Sequence, residues 1–174
     1  NAPVVDSVAL DLDTLYTDSE VSVTATGSDA DGDDVGFSYA WHVDDVVVEE
    51  ATGSSLDGAL YFEKGQRVQV WVTPHDGIGN GEAVPSSELT VANSAPTDIM
   101  VSLTETEGGD LLCNVDWLSS DADSEDTVTY SFDWTLDGGE YSGIGISDGT
   151  SASITAPPYG DWVCTVTASD GTES

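Results

Sequence analysis

The chain is written twice. Ala2-Pro3 returns as Ala95-Pro96, and Phe37, Tyr39 and Trp41 return as Tyr130, Phe132 and Trp134, each time 93 residues on (95 − 2 = 130 − 37 = 93). Ser28-Asp29-Ala30-Asp31 matches Ser120-Asp121-Ala122-Asp123, and His75-Asp76-Gly77 matches Ser169-Asp170-Gly171. These last pairs slip by one residue either side of 93, as loop insertions and deletions produce. A duplication at this period restricts the fold to two copies of one small unit. The boundary falls near Ala92 to Ala95, which predicts domains at residues 1–92 and 93–174.

Within each unit apolar residues alternate with period two, in short runs bounded by Gly, Asp, Ser and Pro, which is a strand signature. No helix is predicted. The inward sets of the first unit are Val8, Leu10, Leu12; Val21, Val23, Ala25; Phe37, Tyr39, Trp41, Val43; Val68, Val70, Val72; and Leu89, Val91. The stretch from Val46 to Phe62 should hold one to three short strands. The second unit repeats the pattern with Ile99, Val101, Leu103; Leu111, Cys113, Val115, Trp117; Tyr130, Phe132, Trp134, Leu136; a weak strand near Ile154; and Trp162, Cys164, Val166. The resulting fold class is all-β, two tandem immunoglobulin-like β-sandwiches of about seven strands each. The second lacks its last strand within this chain, since the sequence stops at Ser174, just after Asp170-Gly171. Such a strand would come from following residues of a longer tandem array or from another chain.

Cys113 and Cys164 fall on the second and sixth strands with Trp134 between them, the Cys, Trp, Cys order of an inter-sheet disulfide. Aligning the copies sets Cys113 against Val21 and Cys164 against Val70, both inward positions. A disulfide is expected, two buried free thiols being the alternative. A bridge implies an oxidising, extracytoplasmic compartment.

Charge decides what the chain can meet. Against 34 Asp and Glu stand only Lys64 and Arg67, a net charge of −32, so nucleic acid is excluded as a partner. No stretch approaches the ~18 uninterrupted apolar residues of a membrane span, so no membrane insertion is expected. Beginning at Asn1 with no basic and apolar leader, the chain is read as a mature or excised segment. Two like charges 4 Å apart repel by roughly 4 kcal/mol at an effective dielectric near 20. Clustered acids without basic partners therefore call for divalent cations or high salt.

The acids cluster between the second and third strands of each unit: Asp29, Asp31, Asp33 and Asp34 in one, Asp121, Asp123, Glu125 and Asp126 in the other. Sandwich topology brings the loop after the sixth strand to the same end, so Asp76 should approach the first cluster and Asp170 the second. Asn93, on the linker, would lie beside the second site, and Asp13, Asp18 and Glu63 are candidates for the facing end of the first unit. Calcium, which takes about six to eight oxygen ligands, is the cation such loops suit. An EF-hand is excluded, because the twelfth position from Asp29 is Ala40 and from Asp121 is Phe132. Aspartate at Asp-Gly turns also occurs for backbone reasons alone.

Ser28-Asp29-Ala30-Asp31-Gly32-Asp33, then Phe37 to Trp41 and Val70 to Gly77, resembles the Asp-x-Asp-Gly-Asp, Tyr-x-Trp and Val-Thr-x-x-Asp-Gly pattern of tandem bacterial cell-surface repeats of the polycystic-kidney-disease (PKD) and cadherin-like calcium-binding type. After the tryptophan the sequence departs from the PKD pattern, so the likeness is to the broader tandem class. It implies immunoglobulin-like sandwiches strung along secreted or surface proteins, with calcium at domain junctions and a spacer, stalk or adhesive role.

No catalytic motif is present: there is no Gly-x-Ser-x-Gly elbow, phosphate loop or zinc signature, and among 34 acids a carboxylate pair can always be found. The expected function is a noncatalytic structural or adhesive segment of a longer extracellular protein or fibre, rigidified by Ca2+. Its expected partners are neighbouring repeats or other copies of the chain. The alternatives are a carbohydrate-binding accessory module, with Trp71 and Tyr61 as a stacking face for surface glycans, or an S-layer-type surface protein of a high-salt organism.

Overall fold

The computed structural model describes residues 1–143 and 146–172. The chain separates into two compact units, Asn1–Ser94 and Ala95–Ser174.

Unit 1 runs β1 (Val4–Leu10), β2 (Leu15–Tyr16), β3 (Glu20–Ser28), β4 (Gly36–Val43), β5 (Val46–Val47), β6 (Ser55–Asp57), α1 (Gly58–Tyr61), β7 (Arg67–His75), β8 (Val84–Pro85) and β9 (Leu89–Ala92). One sheet has the order β1-β3-β6, the other β2-β9-β7-β4-β5, with β8 also on β7. Every pairing is antiparallel except that of β2 with β9. The alternating residues of the facing strands fill the space between the sheets. Leu15, Val21, Trp41, Val68, Val70 and Val72 are each fully buried, and Trp41 donates its Nε1 hydrogen to Gly53 O at 2.9 Å.

Turn chemistry fixes the registers. The β4–β5 hairpin closes through Asp44 and Asp45, both at positive φ (48° and 66°), the backbone of a two-residue type I′ turn. The two short strands of the 46–62 stretch are followed by an element not expected from the sequence, the one-turn helix α1. Asp57 caps it by accepting from Ala59 N at 3.1 Å. Four residues are too few for a helical period to register in the sequence.

Unit 2 runs β10 (Met100–Glu105), β11 (Leu111–Trp117), β12 (Thr129–Leu136), β13 (Gly139–Glu140), β14 (Ile146–Ser147), β15 (Ser151–Ile154) and β16 (Trp162–Ser169). Its sheets are β10-β11-β15-β14 and β13-β12-β16. The duplication is visible pair by pair: Trp134 faces Cys164 as Trp41 faces Val70, and Leu136 faces Trp162 as Val43 faces Val68. Among the described residues no strand follows β16, where unit 1 goes on to β9. Cys113 and Cys164 are disulfide-bonded, with Cα atoms 6.4 Å apart, and join the two sheets.

The two cores differ in extent. Twelve buried apolar residues form the core of unit 1, whereas among the described residues of unit 2 the buried core is Cys113, Trp134, Ala152 and Ile154. Val101, Leu103 and Trp117, expected to face inward, are 44%, 36% and 62% exposed. Alternation assigns a residue to a face of its sheet; it does not supply the opposite layer that would cover it.

Candidate functional site

In unit 2 the loop joining β11 to β12 carries the acids. Its entry is tied down by the pair Thr97 N to Ser120 O (2.8 Å) and Ser120 N to Thr97 O (3.0 Å). The chain entering the unit is thereby hydrogen-bonded to the residue before Asp121. The loop then folds on itself: Asp123 N donates to Asp121 Oδ1 at 2.9 Å and Asp126 N to Asp123 O at 3.0 Å. Asp123 is 2% exposed.

Asp170, at the end of β16, arrives at the same place. One carboxylate oxygen from each of Asp121, Asp126 and Asp170 lies within 4.8 Å of the others, and all three residues are half-buried. At an effective dielectric near 20, each pair of charges at that spacing repels by roughly 3 kcal/mol. Unit 2 contains no Lys, Arg or His at all, so no basic side chain within the unit offsets this repulsion. Asp121 Oδ2 is buried and accepts no hydrogen bond, and the same holds for Ser119 Oγ, which lines one depression with Asp121, Asp123 and Asp126. A buried carboxylate oxygen without a donor is costly, and a hard cation with oxygen ligands is what would satisfy it. The residues therefore fit Ca2+: Asp121, Asp126 and Asp170 as carboxylate ligands, with Ser119 in reach of the same depression. Nothing in the sequence marks Ser119, a serine beside many others.

Of the other expected ligands, Glu125 is exposed. Asn93 lies in unit 1, where its Oδ1 accepts from Lys64 Nζ at 2.9 Å and its Nδ2 donates to Ser94 O at 3.0 Å.

The equivalent end of unit 1 is organised differently. Asp29 Oδ1 accepts from Asp31 N at 2.7 Å, Asp29 Oδ2 is buried without a donor, and Asp31 pairs with the amino group of Asn1. Asp76 Oδ1 accepts from Gly79 N and Ile78 N, both at 2.7 Å. These backbone donors, Gly79 foremost, hold its carboxyl below the usual carboxylate range. Asp33 and Asp34 are exposed, as are Asp13, Asp18 and Glu63. Among the described residues, three acids converge within metal-binding reach only in unit 2.

Trp71 projects from β7, 37% exposed, and its ring lies tilted against His42 with centroids 6.2 Å apart. Tyr61 packs against the core of unit 1, so among the described residues the ring that meets Trp71 is that of His42.

The strand orders and the inter-sheet disulfide define tandem immunoglobulin-like β-sandwiches. No protein-family model and no curated protein matches the chain. Among solved structures it is similar to the crystal structure of chicken CNTN1 FN1-FN3 domains, at 13% identity and a TM-score of 0.37. The match covers 94% of this chain and 60% of that one. A likeness this loose carries no argument, and the class rests on the strand pairing itself. No helix among the described residues is long and apolar enough to cross a membrane.

Proposed function

We propose that this chain is a noncatalytic structural or adhesive repeat segment of an extracellular protein, and that unit 2 binds Ca2+ through Asp121, Asp126 and Asp170. The observation that carries the reading is Asp121 Oδ2, buried without a donor among converging acids in a unit free of basic residues. The disulfide fits an oxidising compartment. Because Thr97 is bonded to Ser120, an ion held by Asp121 would stiffen the segment by which the chain enters unit 2. That is the role a spacer domain asks of a metal.

Calorimetry across micromolar to millimolar Ca2+ should show binding that Asp121→Asn removes. With a Kd in the roughly 0.1 to 1 mM range of extracellular modules, 10 mM Ca2+ should stabilise unit 2 by about 1.4 to 2.7 kcal/mol. Absence of binding heat up to 10 mM, with the same melting curve in Ca2+ and in chelator, would overturn the reading and leave salt adaptation as the account of the acidity.

A further inference from the structure

The two copies differ at one pair of positions beside the acidic loop. In unit 2 the bridge of Thr97 to Ser120 stands where β1 pairs Val4 with Ser28 in unit 1, so Ser119 occupies the place of Gly27. Tyr130 occupies that of Phe37, since four residues on Trp134 faces Cys164 as Trp41 faces Val70. Gly27 and Phe37 close on each other: a Cβ at residue 27 would come within 2.6 Å of Val4 O and 3.1 Å of Phe37 Cζ. The first distance is prohibitive and the second tight, so the serine of unit 2 has no room in unit 1. In unit 2 the tip of the ring carries a hydroxyl, and the contact is a hydrogen bond, Ser119 N donating to Tyr130 Oη at 2.8 Å.

That bond acts on the cation site. Ser119 lies two residues ahead of Asp121, and an N–H held by the phenol fixes the peptide plane from which the Ser119 side chain leaves. Ser119 and Tyr130 line one depression with Asp121, Asp123 and Asp126, and Ser119 Oγ is buried with no hydrogen-bond partner. A buried hydroxyl left so is costly, and its oxygen has two lone pairs to offer a cation. Three carboxylates binding through one oxygen each supply half of the roughly six ligands that Ca2+ takes at the least, so the shell needs neutral oxygens. The acidic turn by itself does not distinguish the copies. Asp29 Oδ1 accepts from Asp31 N at 2.7 Å just as Asp121 Oδ1 accepts from Asp123 N at 2.9 Å, yet among the described residues three acids converge only in unit 2.

We propose that Ser119 Oγ is a ligand of this cation site and that Tyr130 is its positioning residue, acting through the Ser119 N–H. The assignment rests on Ca2+ binding by Asp121, Asp126 and Asp170, and it identifies a neutral ligand and the reason the copy with Gly27 and Phe37 has none.

The test titrates the whole disulfide-intact chain with CaCl2 in 0.15 M NaCl and follows the amide NMR resonances of Asp121 and Asp123. Four chains are compared: the natural sequence, Ser119→Ala, Tyr130→Phe and the double variant. Loss of an outer partner weakens a metal site by about 10- to 100-fold, so Tyr130→Phe should raise the Kd at least about tenfold, and Ser119→Ala by as much or more. Because Tyr130 acts through Ser119, the double variant should bind within about twofold of Ser119→Ala alone, whereas a tyrosine that merely supports the fold gives losses that multiply. A Kd within about twofold of the natural one in either single variant overturns the proposal and leaves the Ca2+ reading standing. A double variant whose loss is the product of the two single losses overturns the role of Tyr130. A natural chain with no saturable shift up to 10 mM CaCl2 overturns the Ca2+ reading itself, and the proposal with it. If Tyr130→Phe does not fold, Ser119→Ala decides alone, since it keeps both the N–H and the phenol that accepts it.

Discussion

Reduction of the Cys113–Cys164 bridge should lower the unfolding temperature of unit 2 while leaving that of unit 1 unchanged. The bridge spans a sequence separation of 51 residues. Closing a loop of that length removes about 14 cal/mol/K of unfolded-chain entropy, or about 4 kcal/mol at 25 °C. Against it stands, among the described residues, a core of four buried apolar residues, one of them Cys113 itself. Small domains have total stabilities of only ~5 to 15 kcal/mol, so the bridge is a large part of what keeps this unit folded. For a domain of this size each kcal/mol shifts Tm by about 4 to 8 °C, so the transition of unit 2 should fall by about 15 to 30 °C. Differential scanning calorimetry with and without a phosphine reductant reads this directly, and both sulfurs remain in place, so no cavity confuses the result. Unit 1 has no cysteine, and its transition should not move. A reduced protein whose two transitions stay within about 3 °C of the oxidised ones would refute the reasoning, because the cross-link would then contribute less than about 1 kcal/mol.

Two further outcomes follow from hydrogen bonds. Trp41→Phe removes the donor to Gly53 O in unit 1 and should cost about 1 to 3 kcal/mol, whereas Trp134→Phe removes an Nε1 that is buried with no partner among the described residues and should cost less; chemical denaturation of both variants ranks them. The Asp76 and Asp148 carboxyls, held below their ordinary value of 3.8 by backbone N–H donors at Gly79 and Ile78 and by the Ser151 hydroxyl and the Ser151 and Thr150 N–H groups, should show NMR titration midpoints below 3.8. Because the folded values are depressed, their contribution to stability is present above the unfolded value and lost as pH falls through the folded one.

The long strands could be read from the sequence because each carries its own signal. In β3, β4, β7, β12 and β16, every second residue is apolar, and the match between copies fixes equivalent registers independently of any contact. The short elements carry no such signal. β2 is two residues held by a parallel pairing to β9, and β8 parts from β9 at Ser86, whose hydroxyl accepts from Val70 N at 3.2 Å. Both exist because of partners far away in the chain. The convergence of Asp170 on the Asp121 loop follows from topology, so it could be anticipated. Which acids turn inward depends on loop hydrogen bonds, which is why Asp121 and Asp126 converge with Asp170 while Glu125 points to solvent. Arg67 pairs with Asp44, Asp45 and Glu88 only because hairpin and strand registers bring those carboxylates together, so nothing in the sequence marked it.

The strand β16, Trp-Val-Cys-Thr-Val-Thr-Ala-Ser, holds no charged residue, no proline and no bulge in its pairing with β12. Among the described residues the side of β16 away from β12 pairs with no strand, and sheets ordinarily guard an open side with those devices. In this segment the repulsion available between copies is collective: the field of a surface at −32 reaches only as far as the ionic atmosphere permits, about 10 Å at 0.1 M salt and about 3 Å at 1 M. Colloidal stability of this chain is thus a property of its medium. Light scattering should register edge-to-edge clustering as monovalent salt rises, in the opposite order from a protein whose solubility rests on local gatekeeper residues.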